Sequence, residues 1–242
     1  MAFWTRREEP DPRQTSPGYY PAAALPYVAN VSWPRSGHHL LVRLLQGTFG
    51  PLFGYCEHYQ PRKAEPSPCC GAFPCRRAGL IHMSKQHDFD LTAHLPEDVP
   101  VVVQYRGFVA SAISQFEMTT GEGGTPDTAA AFRTFSSAMV PGYRGFMARW
   151  VESPRERRVT IAYEDLVADP VTEARKVLDL YGMGAMAPHL RRAAKRVKAA
   201  TYVDGKEEVQ AERGVKDDRD VTQFRHYDPA LFDRLTAEAE GR

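Results

Sequence analysis

The chain has 242 residues, with 31 basic and 30 acidic side chains and a formal net charge of +1. That length suits one large α/β domain and leaves no room for a second full one, while the balanced charge excludes a global field of the kind that draws a protein to nucleic acid or membrane. Anion recognition, if there is any, must be local.

Residues 1–24, rich in Pro, Arg and Glu, carry charges where a signal peptide needs its apolar core, and no run approaches about 18 apolar residues. The pattern predicts a flexible N-terminal arm over 1–24, one domain over 25–242, no membrane span and a cytoplasmic location.

Tyr27, Val28, Ala29 and Val31 form a short apolar run that reads as a buried strand, and it breaks into Ser32-Trp33-Pro34-Arg35-Ser36-Gly37. Beyond it, Leu40, Leu41, Leu44 and Leu45 have the spacing of one face of a helix. A strand, tight loop and helix in this order aim backbone N–H groups and the positive end of the helix dipole at one point, so an anion belongs there. A nucleoside triphosphate loop would open on glycine and close on Gly-Lys-Ser/Thr, the hydroxyl holding magnesium. Here Ser32 stands in the place of that first glycine, and Gly37 is followed by His38 and His39. A nucleotide-dependent kinase on a related P-loop fold is therefore only the second reading.

Trp33-Pro34-Arg35-Ser36-Gly37 instead resembles the 5′-phosphosulfate loop of the sulfotransferase family, usually Pro-Lys/Arg-Ser-Gly followed by small hydroxyl residues. His38 and His39 replace those hydroxyls. The resemblance implies that Arg35, Ser36, Gly37, His38 and His39 hold the phosphosulfate, with His38 also a competing candidate base.

Residues 50–77 contain five prolines, several aromatic residues and all four cysteines, and read as an irregular excursion shaping an acceptor pocket. Cys56, Cys69, Cys70 and Cys75 could form a zinc centre with His58, a local disulfide or packing thiols; the lack of C-x-x-C pairs and the vicinal Cys69-Cys70 argue against the metal. Leu80 to Met83 reads as a second strand, with Lys85 and His87 just past it and pointing to one side if the chain stays extended. The sulfotransferase family carries Lys-Thr-His at this point, and Lys85-Gln86-His87 matches two of its three positions. The resemblance makes His87 the catalytic base and Lys85 a stabiliser of developing charge, together with Arg35; Asp88 or Asp90 is the candidate to orient the imidazole.

Val99 to Tyr105 is the clearest strand, β-branched and near-continuously apolar, as a parallel strand covered on both faces should be. Arg106 ends it, Gly107 opens a helix over 108–118, and Ser114 lies eight residues beyond Arg106. The family uses an arginine and a serine at this offset for the cofactor's 3′-phosphate, which implies that role for Arg106 and Ser114. The glycine-rich stretch 119–126 reads as a loop able to close over substrate. A helical region follows over 129–151, broken near Pro141-Gly142, then a strand over 158–161.

Tyr163-Glu164-Asp165-Leu166 and Asp169-Pro170 predict a turn and a helix start with Asp169 as N-cap, and resemble the family segment whose tyrosine, here Tyr163, contacts adenine. The helix over 189–199 carries Arg191, Arg192, Lys195, Arg196 and Lys198, which the balanced charge makes a solvated face rather than a nucleic-acid patch. Arg213-Gly214 precedes the last helix, 229–239, and matches the family's Arg-Gly segment that closes the 3′-phosphate site.

Taken together, the matches imply a single α/β domain with a central parallel sheet flanked by helices and a P-loop-like phosphosulfate-binding loop. The implied activity is transfer of a sulfuryl group from 3′-phosphoadenosine 5′-phosphosulfate (PAPS) to a hydroxyl or amine of a small-molecule, lipid or carbohydrate acceptor, with no metal and no nucleic-acid partner. A non-catalytic phosphonucleotide-binding module is the third reading.

Overall fold

The structure, a computed structural model, describes residues 25–51, 53–58, 64–65, 69–77, 79–199 and 219–242. The expectations for the arm 1–24 and for Arg213-Gly214 lie outside these residues.

Six strands form one sheet: β1 (Val28–Ser32), β2 (Tyr55–Glu57), β3 (Ala64–Glu65), β4 (Met83–Gln86), β5 (Val101–Tyr105) and β6 (Arg158–Ala162). Their order is β3-β2-β4-β1-β5-β6, with β2, β4, β1, β5 and β6 parallel and β3 antiparallel at the edge. The helices are α1 (His38–Phe49), α2 (Phe108–Gly121), α3 (Ala129–Phe146), α4 (Tyr163–Ala168), α5 (Pro170–Leu180), α6 (Ala187–Ala199) and α7 (Pro229–Glu240).

Side-chain alternation along β1 and β5 divides the core between the two faces of the sheet. Val28 and Val102 join Leu40, Leu41, Leu44, Leu45 and the buried faces of α5 and α6 on one side. Ala29, Val31, Val101 and Val103 join α2, α3 and α7 on the other, where Phe116, Phe132, Phe224 and Phe232 form a cluster of ring contacts. Each fully buried leucine of α1 contributes roughly 1.5–3 kcal/mol. The four together hold the helix, and hence the loop before it, against the sheet.

The structure corrects several sequence expectations. The second predicted strand runs later, over Met83–Gln86, so Lys85 lies within the strand instead of past it. The excursion after α1 contributes β2 and β3, and β2 pairs with β4 through Glu57 opposite Lys85. Helix α2 continues three residues into the glycine-rich stretch. Pro141 does not break α3: it lies on the exposed side, as does Ser137, whose carbonyl loses its i+4 donor there. The helix instead widens at Met147–Glu152, a π-helical turn. Tyr163 opens a short helix where a turn was predicted, and Asp169 caps α5 as expected, accepting from Thr172 N–H. On α6, Arg191, Arg192, Lys195 and Arg196 are exposed opposite buried Leu190, Ala193 and Ala194, the pattern of a solvated amphipathic face. No helix among the described residues is long and apolar enough to cross a membrane.

Candidate active site

The loop between β1 and α1 is held from beneath by buried amides. Trp33 N–H donates to the Gln104 carbonyl (2.8 Å), Gln104 Nε2 donates to the Ser36 carbonyl (3.3 Å), and Asn30 Nδ2 donates to Gln104 Oε1 (3.1 Å). Trp33 locks the rim, its Nε1 donating to Ser111 Oγ (3.0 Å) and its ring packed edgewise on Tyr143 and Phe146. Arg35 and Gly37 both have left-handed backbone, at φ 65° and 78°. At Gly37 a side chain is also excluded by contact, since a Cβ would lie 2.8 Å from Tyr163 Cδ2. Ser36 Oγ is buried inside this cradle with no hydrogen-bond partner among the described residues.

Three of the predicted residues converge at the mouth of the loop. Lys85 is fully buried, and its Nζ lies 2.9 Å from His38 Nε2. An ammonium can only donate, so His38 accepts at Nε2 and carries its proton on Nδ1. Burial first, and the Lys85 charge second, hold His38 well below the usual histidine range, so the imidazole is neutral at physiological pH. His87 Nδ1 donates to the Ser32 carbonyl at 2.5 Å, and its ring stands edgewise to His38 at 5.9 Å. Burial and the Lys85 charge push His87 down to about 3, against the opposing effect of the Ser32 hydrogen bond.

The group that orients His87 is therefore a backbone carbonyl, not Asp88 or Asp90. Asp88 anchors the turn after His87 instead. Its carboxylate accepts from Ala93 N–H (2.6 Å) and Trp150 Nε1 (2.7 Å) and pairs with Arg149 Nε (3.2 Å), the last two presented by the π-helical turn. Gly145 lets this turn close on α3, since a Cβ there would lie 2.3 Å from Leu91 Cδ1. Asp90 is taken up locally with Thr92 N–H (3.3 Å).

Ser114 and Arg106, predicted to share one phosphate, each contact another side chain of the site. Arg35 Nε donates to Ser114 Oγ (3.0 Å), which ties α2 to the loop arginine. Arg106 lies with its guanidinium carbon 4.1 Å from the centre of the Tyr163 ring and its Nε 4.0 Å from Glu164. Tyr163 is buried, with Arg106 over its ring and Gly37 close to its Cδ2 edge.

Glu57 and Phe89 were missed by sequence reasoning. Glu57 is buried beside Lys85, with Oε1 3.6 Å from both His38 Nε2 and His39 Nδ1. The alternation Tyr55-Cys56-Glu57 was the available signal, masked by the surrounding prolines. Phe89 is 66% exposed with its ring 4.9 Å from that of His87, an apolar rim beside the imidazole. Among the described residues, His38, His39 and Glu57 form the one set of three metal-capable donors within 4.8 Å, but the Lys85 ammonium on His38 opposes a cation there.

This fold and loop define an α/β protein in which the N-terminus of α1 and the buried Lys85 lie at one loop. Residues 84–186 match the model described as "Sulfotransferase family". The structure superposes on mouse sulfotransferase SULT7A1 complexed with PAP with a TM-score of 0.61 at 16% identity, covering 90% of this chain and 85% of that one. A second match, the sulfotransferase domain from the curacin biosynthetic pathway, has a TM-score of 0.44 at 13% identity and covers 90% of this chain and 96% of that one. No curated protein sequence matches the chain. Residues 84–186 are thus similar to the sulfotransferase family, and the parallel sheet with flanking helices has the fold of the mouse sulfotransferase.

Proposed function

We propose that this chain is a sulfotransferase that uses PAPS as donor and transfers its sulfuryl group to a hydroxyl or amine of a small-molecule, lipid or carbohydrate acceptor, with His87 as general base. The observation that carries this reading is the convergence of the loop amides, Arg35, buried Lys85 and neutral His87 on one mouth. The donor fits these residues because Ser36 Oγ is buried without a partner in a loop whose own conformation leaves no room for a side chain at Gly37. Complexation of the mouse relative with PAP agrees with the same donor.

When bound, the phosphosulfate supplies the group to be transferred. Ser36 and the amides from Gly37 to His39 hold its 5′ end. Arg106, Ser114 and Arg213-Gly214 are assigned to the 3′-phosphate, with Tyr163 supporting Arg106 near the adenine. With Nδ1 donating to Ser32, the His87 atom that takes the acceptor's proton is Nε2, a role typically worth about 10²- to 10⁴-fold in rate. A base held near 3 is weak, and what holds it there beyond burial is the positive charge of Lys85, followed more weakly by His39 and Arg35. An anion against those cations relieves that repulsion and raises the basicity of His87 in the complex. Lys85 and Arg35 then neutralise charge developing on the transferred group and the leaving oxygen.

Calorimetric titration with 3′-phosphoadenosine 5′-phosphate, against ATP, without added metal, tests the donor. Tight binding that falls sharply without the 3′-phosphate is expected; preference for ATP with magnesium would reject the assignment in favour of a kinase. His87→Ala should keep this binding and lose most turnover, whereas wild-type-like turnover would remove His87 as the base.

A further inference from the structure

All four cysteines of the chain gather in one satellite cluster behind the edge of the sheet, with Ile81 as the other buried member. All four are free thiols. They are arranged as two pairs: Cys56 is hydrogen-bonded to Cys69, and Cys70 Sγ lies 3.6 Å from Cys75 Sγ. The vicinal pair, an obstacle when read from sequence, is resolved because Cys69 and Cys70 turn to different partners.

Three of the four sulfurs also receive a backbone N–H, each at 3.4 Å: Gly71 donates to Cys69, Arg76 to Cys70 and Arg77 to Cys75. Donors aimed at sulfur favour the thiolate, and a thiolate is the form that binds a metal. The 3.6 Å separation fits a metal edge: with zinc–sulfur bonds of about 2.3 Å, the edge of a tetrahedron is about 3.8 Å, against about 2.05 Å for a disulfide.

We propose that Cys56, Cys69, Cys70 and Cys75 bind one structural zinc ion. No three of these sulfurs lie within 4.8 Å of one another among the described residues, so the ion closes the two pairs on a common centre. Binding replaces the thiol protons with the metal and changes no oxidation state. Its structural effect falls on β2, where Cys56 precedes Glu57 on the opposite face. The cluster is tied to β1 and β4 by Cys75 N–H donating to Tyr27 Oη (3.2 Å), which shares a 2.5 Å hydrogen bond with Ser84 Oγ. The ion thereby fixes β2, the strand that presents Glu57 to the active site.

The test is metal analysis of the full chain purified under reducing conditions, followed by exchange with cobalt(II). One zinc per chain and a cobalt spectrum with sulfur-to-metal charge transfer and tetrahedral d–d bands are expected. Cys56→Ser and Cys75→Ser should each weaken binding at least tenfold, while His58→Ala should retain it. Should the serine variants not fold, the wild-type stoichiometry and cobalt spectrum decide alone. Metal-free protein with four titratable thiols and no cobalt spectrum overturns the proposal. A Cys70–Cys75 disulfide, or loss of the metal in His58→Ala, overturns it equally.

Discussion

Acidification should unfold this protein through its active site, and His87 allows the effect to be calculated. The group is held at about 3 in the fold and returns to about 6.5 in the unfolded chain. Between those values the unfolded chain binds a proton that the folded chain does not, so stability rises with pH and falls on acidification by about 1.4 kcal/mol per unit. Integrated from pH 7 to pH 5, this one histidine costs about 2 kcal/mol. Other groups titrate too, including His38, so the useful quantity is a difference between proteins. Urea unfolding of wild type and His87→Gln, followed at pH 7 and pH 5 in buffers free of sulfate and phosphate, isolates it. The variant's loss of stability over that interval should be smaller by about 2 kcal/mol, whatever its stability at pH 7. Parallel losses would mean that His87 titrates in the fold as it does in water, and the buried, neutral base would be rejected.

Three further outcomes follow from the site. Arg106→Ala should weaken binding of 3′-phosphoadenosine 5′-phosphate by about 10- to 100-fold, the worth of a charge-assisted contact, with turnover at saturating donor little changed; a change in turnover alone would remove Arg106 as an anchor. Gly37→Ala must take a left-handed backbone and meet Tyr163, so nucleotide affinity measured by calorimetry should fall while the chain remains folded. Asp88→Ala strands the buried Trp150 N–H and unpairs Arg149, which should cost about 3 kcal/mol in urea unfolding and lower turnover through the loosened His87 turn. Asp88→Asn should recover part of both; no loss in either variant would show that the turn is held otherwise.

Sequence by itself determined the loop between β1 and α1, because Pro34, Gly37 and the leucine spacing after it are local instructions for a turn and an amphipathic helix. It also determined the internal strand at Val101–Tyr105, where an apolar run long enough to be buried on both faces has few other uses. Lys85 and His87 were legible as a pair because alternation in extended chain is likewise local. What tertiary structure decided was every partnership across the sheet. Glu57 reaches the site only because β2 pairs in register with β4, and the surrounding proline-rich composition hid that strand. Ser32, not a neighbouring carboxylate, orients His87, and Ser114 on α2 accepts from the loop arginine Arg35. The four cysteines lack any familiar spacing, and only the folded backbone sorts them into two pairs and turns amides toward three of their sulfurs. Spacing along a chain records what one element can do alone. A buried polar site depends on which elements the packing of the two apolar faces brings side by side.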